Sequence, residues 1–139
     1  MSSTIVVGYD ASPGSRAALD RALELAAALG DRLIIGFGVS PPGSMGDEFR
    51  AHRDALRERA EKLIAEALER AVGAGVDVET ALVEDKASSA LIKLADDNDA
   101  RMIVVGSWEE RPIKGAILGS TPNQLLYRAE RPVLVVPAE

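Results

Sequence analysis

Five short apolar runs alternate along the chain with four stretches of helical periodicity. Ile5-Val6-Val7-Gly8 is β-branched and ends in glycine, the pattern of a strand buried on both faces. Ser12 followed by Pro13 predicts a cap and a first helical residue. Leu19, Ala22, Leu23, Ala26 and Leu29 then recur at helical spacing until Gly30 stops the helix. Leu33 to Val39 predicts a second strand, after which Ser40-Pro41-Pro42-Gly43 delays the next helix to about Asp47. That helix places Leu56, Ala60, Leu63, Ile64, Ala67, Leu68 and Ala71 on one stripe and ends near Gly73 or Gly75. On its other face Glu58 with Lys62, and Glu66 with Arg70, are spaced for i,i+4 ion pairs. Val76 to Val83 alternates like a half-buried strand, and Ser88 to about Asn98 is a third helix with Leu91, Leu94 and Ala95 inward. Met102 to Val105, Ser120 to Ala129 and Val133 to Val136 complete the series as strand, helix and strand.

Strict alternation of strands and helices predicts an α/β fold: right-handed crossovers build a parallel sheet covered by helices on both faces. The 139 residues, 47% of them hydrophobic, suffice for one core and not for two, so residues 1–139 are expected to form a single domain. Charge narrows the partners. Sixteen basic against 22 acidic side chains give a net charge of -6, which repels a phosphate backbone and argues against DNA or RNA. No segment has the length of a membrane span and Met1-Ser2-Ser3-Thr4 lacks a basic leader, so no membrane partner and a cytoplasmic location are expected. The chain has no cysteine and one histidine, His52, on a charged helix face, which disfavours thiolate chemistry, a histidine triad and a zinc site. Asp96, Asp97 and Asp99 crowd a helix C-terminus and are expected to be solvated, with no metal.

The chemistry concentrates around the fourth strand. Met102-Ile103-Val104-Val105 runs into Gly106 and a polar loop that ends at Gly119-Ser120-Thr121-Pro122, where a helix begins. A helix N-terminus offers unpaired N–H groups and the positive end of the dipole, so the layout fits a phosphate-sized anion. The bland alternative is a glycine turn with Ser120 as an ordinary cap. Thr121 adds an N–H, whereas Pro122 cannot donate. Asp10 follows the first strand and precedes the first helix, where its plain role is that of a dipole partner. Glu109 and Glu110 read as solvated loop acids, Arg111 and Lys114 as either solvated bases or phosphate partners, and Trp108 as a loop anchor, with base stacking the alternative.

The spacing Gly106-x2-Glu109-x9-Gly119-Ser120, the opening Val6-Val7-Gly8-Tyr9-Asp10-Ala11-Ser12 and the closing Arg131-Pro132-Val133-Leu134-Val135-Val136-Pro137 resemble the universal stress protein family. Its nucleotide-binding branch has glycine where this chain has Glu109. The resemblance covers Ile5 to Pro137 and implies strand order 3-2-1-4-5, with the switch point between strands 1 and 4, as in the adenine-nucleotide α-hydrolase-like folds. It also implies binding of an adenine nucleotide, ATP with or without Mg²⁺, or AMP or another adenine nucleotide, as a regulatory ligand. The residues so implied are Asp10 for ribose or adenine, Gly38 and Val39 for main-chain contacts to adenine, and Gly106, Gly119, Ser120 and Thr121 along the phosphates. A carboxylate at 109 facing those phosphates would weaken ATP more than AMP. A homodimer through the last strand is expected on two grounds, the family contact and the exposed apolar edge that Val133 to Val136 would present in this order.

No Walker A pattern occurs, Gly36-Phe37-Gly38 leads into prolines and not a helix, and Ser107 lacks the Gly-x-Ser-x-Gly elbow. With no base to activate water, the chain is not expected to be an enzyme beyond very slow ATP hydrolysis. Two other readings stand beside the nucleotide binder: a nucleotide-free dimeric scaffold of the same family, and an adenylating enzyme of the wider fold group, against which counts the lack of a Ser-Gly-Gly-x-Asp loop after the first strand.

Overall fold

The computed structural model describes residues 2–39, 47–107 and 120–138. Its elements run β1 (Thr4–Gly8), α1 (Pro13–Leu29), β2 (Arg32–Gly38), α2 (Asp47–Ala71), β3 (Val78–Val83), α3 (Ala87–Asp97), β4 (Met102–Gly106), α4 (Ser120–Arg128) and β5 (Val133–Val136). All pairings are parallel, in the order β3-β2-β1-β4-β5, the order implied by the resemblance. Every crossover is therefore a helix, and the order reverses between β1 and β4.

Alternation along the strands divides the core in two. Ile5 and Val7 of β1, with Leu33, Ile35 and Phe37 of β2, face α1 and α2. Val6, Ile34, Ile103 and Val105 face the other way, onto Leu91 and Ala95 of α3 and Leu125 of α4. β1 is buried on both faces, as its unbroken apolar run predicts. α1 is capped by Ser12, whose side chain accepts from the Ser15 N–H, and it stops at Gly30 in the left-handed conformation that glycine tolerates.

Tertiary packing overrides some expectations. Leu29 and Leu68, placed on buried stripes by periodicity, are exposed. The expected Glu66–Arg70 pair within α2 does not form; Glu66 accepts from Arg16 at 2.8 Å and Arg70 forks onto Asp20, so both α2 residues reach across to α1. Asp96 is not simply solvated: it accepts from Arg131 at 3.0 Å, and Asp97 accepts from Lys93. α3 starts at Ala87, one residue before the expected Ser88, and β3 at Val78 rather than Val76.

Candidate functional site

A parallel sheet with helical crossovers puts the first turns of its helices beside the carboxyl ends of its strands. At the β1/β4 reversal those ends leave a cleft with a cavity volume of about 80 Å³. Its floor is Gly8, Gly36 and Gly38 with Val105 and Gly106, and its walls are Tyr9, Asp10 and Ser12 of the β1–α1 turn, Ser15 of α1, Ala87 and Leu91 of α3, and Thr121 and Pro122 of α4.

The glycines at the floor have identifiable neighbours. A Cβ on Gly8 or Gly36 would lie 2.8 Å from a methyl of Leu91 or Leu94, so their absence lets α3 settle on the sheet. A Cβ on Gly38 would meet the Ala87 Cα at 2.8 Å. The case of Gly106 is the most severe: a Cβ there would stand 2.4 Å from the Gly14 carbonyl carbon, against backbone that cannot swing away. Gly106 therefore lines the cleft on one side and admits the first turn of α1 on the other.

Asp10 is exposed at the mouth. Its Oδ1 accepts from the Ser12 N–H at 2.9 Å, and its own N–H donates to Ser15 Oγ at 3.2 Å. The intervening Ala11 sits at φ 65, a left-handed position that costs a non-glycine residue stability and recurs at functional turns. One carboxylate oxygen is thus held on the turn. Tyr9, next in the chain, buries its ring edge-on to Phe37 with centroids 6.1 Å apart. Its hydroxyl borders the Arg16–Glu66 pair without a hydrogen bond of ordinary geometry. Burial first, and Glu66 second, push the Tyr9 phenol up to about 12. The Arg16 hydrogen bond holds Glu66 below the usual carboxylate range.

Of the residues expected from sequence, Asp10, Gly38, Gly106 and Thr121 are brought together on this cleft. Ser120 is the exposed first residue of α4, adjacent to Thr121 but not part of the lining. Val39 is not part of the lining either, and its N–H is taken by the Val83 carbonyl at 2.9 Å. Gly119 lies outside the described residues, as do Trp108, Glu109, Glu110, Arg111 and Lys114. Sequence reading missed Ser15, Gly36, Ala87 and Leu91. The Ser12-x2-Ser15 spacing and the paired glycines Gly36 and Gly38 are the signals that pointed there. Among the described residues no group of three His, Cys, Asp or Glu side chains could hold a metal ion.

Chemically, the cleft offers a carboxylate acceptor, serine hydroxyls, helix-start N–H groups and an apolar wall. That combination suits a small ligand with hydroxyl donors, an anionic group and a flat apolar part.

The model of the universal stress protein family matches residues 1–137. A universal stress protein of Mycobacterium tuberculosis is 35% identical over 143 residues, covering 96% of this chain and 94% of that protein. One from Thermus aquaticus is 33% identical over 141 residues, covering 98% and 99%. Among solved structures, a universal stress protein in complex with cAMP superposes with a TM-score of 0.79 at 33% identity, covering 99% of this chain and 98% of that one. The chain belongs to the universal stress protein family.

Proposed function

We propose that this family member binds an adenine nucleotide as a regulatory ligand in the β1/β4 cleft, with ATP as the principal form, and holds it without turnover at enzymatic rates. The observation that carries the reading is the convergence of Asp10, Gly38, Gly106 and Thr121, from four separate elements, on one cleft at the switch point. In this reading the free carboxylate oxygen of Asp10 accepts from ribose hydroxyls. The base lies over the glycine floor against Ala87 and Leu91, and the phosphates meet the first turn of α4. That a relative at 33% identity forms a complex with cAMP supports an adenine nucleotide as the ligand. Any Mg²⁺ would enter on the phosphates, with Asp10 the carboxylate that lines the cleft among the described residues. Among the described residues the cleft lining has one carboxylate, Asp10, and this reading assigns it to the ribose, so holding is favoured over hydrolysis.

The same reading has the protein act in the cytoplasm as a homodimer through β5. β5 is an edge strand with Leu134 39% exposed, and Leu126 and Tyr127 of the neighbouring α4 are also exposed.

Calorimetric titration with ATP, AMP and cAMP tests the ligand, and native mass spectrometry of protein purified without added nucleotide tests retention. Saturable binding of ATP is expected. No binding of any of the three would favour the second reading, a nucleotide-free dimeric scaffold. One observation speaks for that alternative: Gly106 is demanded by Gly14 whether or not a phosphate is present.

A further inference from the structure

α4 is nine residues long and buries only Pro122 and Leu125. A helix anchored through so little side chain is free to roll about its axis unless polar contacts stop it. Among the described residues, two such contacts run from the middle and end of α4 to the first turn of α3. The Ser88 hydroxyl donates to Gln124 Oε1, and Arg128 Nη1 donates to Ser89 Oγ at 3.2 Å. Gln124 and Arg128 are four apart and share one face of α4; Ser88 and Ser89 are adjacent on α3. Ser88 is only 1% exposed, so its hydroxyl depends on Gln124 for satisfaction. Each helix, one turn or less away, carries a wall of the cleft: Ala87 and Leu91 on α3, Thr121 and Pro122 on α4.

We infer that Ser88 and Gln124 are a positioning pair: their hydrogen bond fixes the roll of α4 and thereby aims its first turn at the phosphate of the bound nucleotide. The inference rests on the nucleotide reading above. It specifies which part of the ligand depends on α4, since the floor glycines and Asp10 lie outside both helices, and Ala87 and Leu91, which face the base, are seated on Gly8, Gly36 and Gly38 and not on Gln124. Loss of the pair lowers affinity in proportion to what the phosphate contributes and leaves the nucleoside contacts intact.

The test compares AMP with adenosine, by calorimetry, on wild type, Gln124→Met, Ser88→Ala and the double variant. Gln124 is exposed, and methionine keeps its length without the acceptor, so this variant is expected to fold and decides the matter alone if Ser88→Ala does not. AMP should bind about fivefold more weakly to each single variant, the factor that one net hydrogen bond is worth. Adenosine should change less than about twofold, and the double variant should bind AMP no worse than either single one, as for residues acting as a unit. Equal losses for AMP and adenosine, unchanged AMP binding, or additive losses in the double variant would overturn the inference while leaving the nucleotide reading in place. Wild type that binds neither compound would overturn that reading, and the inference with it.

Discussion

The two ends of the sheet are built on opposite principles. At the amino ends of the strands charged groups are matched to one another. Arg101 forks onto Asp31, which also accepts from the Ser3 N–H. Arg32 bonds Thr4, Glu79 and Asn98, and Arg131 bonds the Ala100 carbonyl and Asp96. At the carboxyl ends glycines replace side chains, helices begin, and Asp10 keeps a carboxylate oxygen at the mouth of a cleft. A polar group satisfied inside the protein contributes stability; one left facing a cleft is available to a ligand. Substitutions at the amino end should therefore change stability and spare binding, and those at the carboxyl end should do the reverse, with Gly106 as the instructive exception.

Gly106→Val gives the largest effect. The added Cβ meets Gly14 backbone at 2.4 Å, and neither chain can yield without separating β4 from α1. A loss of about 3 kcal/mol or more is expected, the upper part of the overpacking range, readable as a lower urea midpoint with or without nucleotide. Tolerance of valine there would mean that the close approach is not maintained in solution.

Asp31→Asn comes next. The Asp31 side chain is fully buried while that of Arg101 is 40% exposed, so water recovers part of the broken pair and the loss should be about 1–2 kcal/mol. The hydrogen bond from Arg101, above all, holds the Asp31 carboxyl below the usual carboxylate range. A depressed folded pKa contributes stability that is present above the unfolded value of about 3.9 and is lost as pH falls below it. Wild type should thus lose its advantage over Asp31→Asn under acid, measured as converging unfolding midpoints below about pH 4. ATP affinity at neutral pH should not change.

Asp10→Ala is the counterpart at the other end. Ser12 N–H loses an exposed acceptor that water can replace, so stability should fall by less than about 1 kcal/mol. Nucleotide affinity should fall at least about tenfold, equivalent to 1.4 kcal/mol. Stability loss without affinity loss would assign Asp10 to the turn alone.

The sequence made one of these ends far more legible than the other. Strand runs, the Ser12 cap, Gly30 and the alternation of elements are local signals, and the architecture followed from them together with the family resemblance. The cleft residues Asp10, Gly106 and Thr121 were found because each sits where a strand ends or a helix begins. Ala87 and Leu91 were not, because they enter the cleft only through the packing of α3 on Gly8, Gly36 and Gly38, a contact between segments far apart in sequence. The same limit explains Glu66, whose local partner Arg70 was displaced by Arg16 from another helix. Gly106 was read for a ligand's sake, while the helix that equally demands it could not be seen from its neighbours in the chain.

Tyr9 tests the contrast on its finest scale, since it stands at the carboxyl end of β1 yet turns its polar atom inward. Its hydroxyl is buried beside Arg16 and Glu66 without a hydrogen bond of ordinary geometry. Removing an unsatisfied buried group is inexpensive, so Tyr9→Phe should change stability at neutral pH by less than about 1 kcal/mol, in either direction. Alkaline conditions separate the two proteins. The phenol is raised to about 12 in the folded chain, against about 10 when unfolded. A raised pKa contributes stability that is complete below the unfolded value and is lost as pH rises through the folded one. Wild type should therefore lose stability relative to Tyr9→Phe between about pH 10 and pH 12. Urea unfolding across that window, with nucleotide affinity measured at neutral pH, checks both halves. Parallel stability curves would place the hydroxyl in water rather than against Glu66, and a loss of affinity in the phenylalanine variant would show that the Tyr9 hydroxyl itself, and not only the residue's place in the lining, takes part in binding.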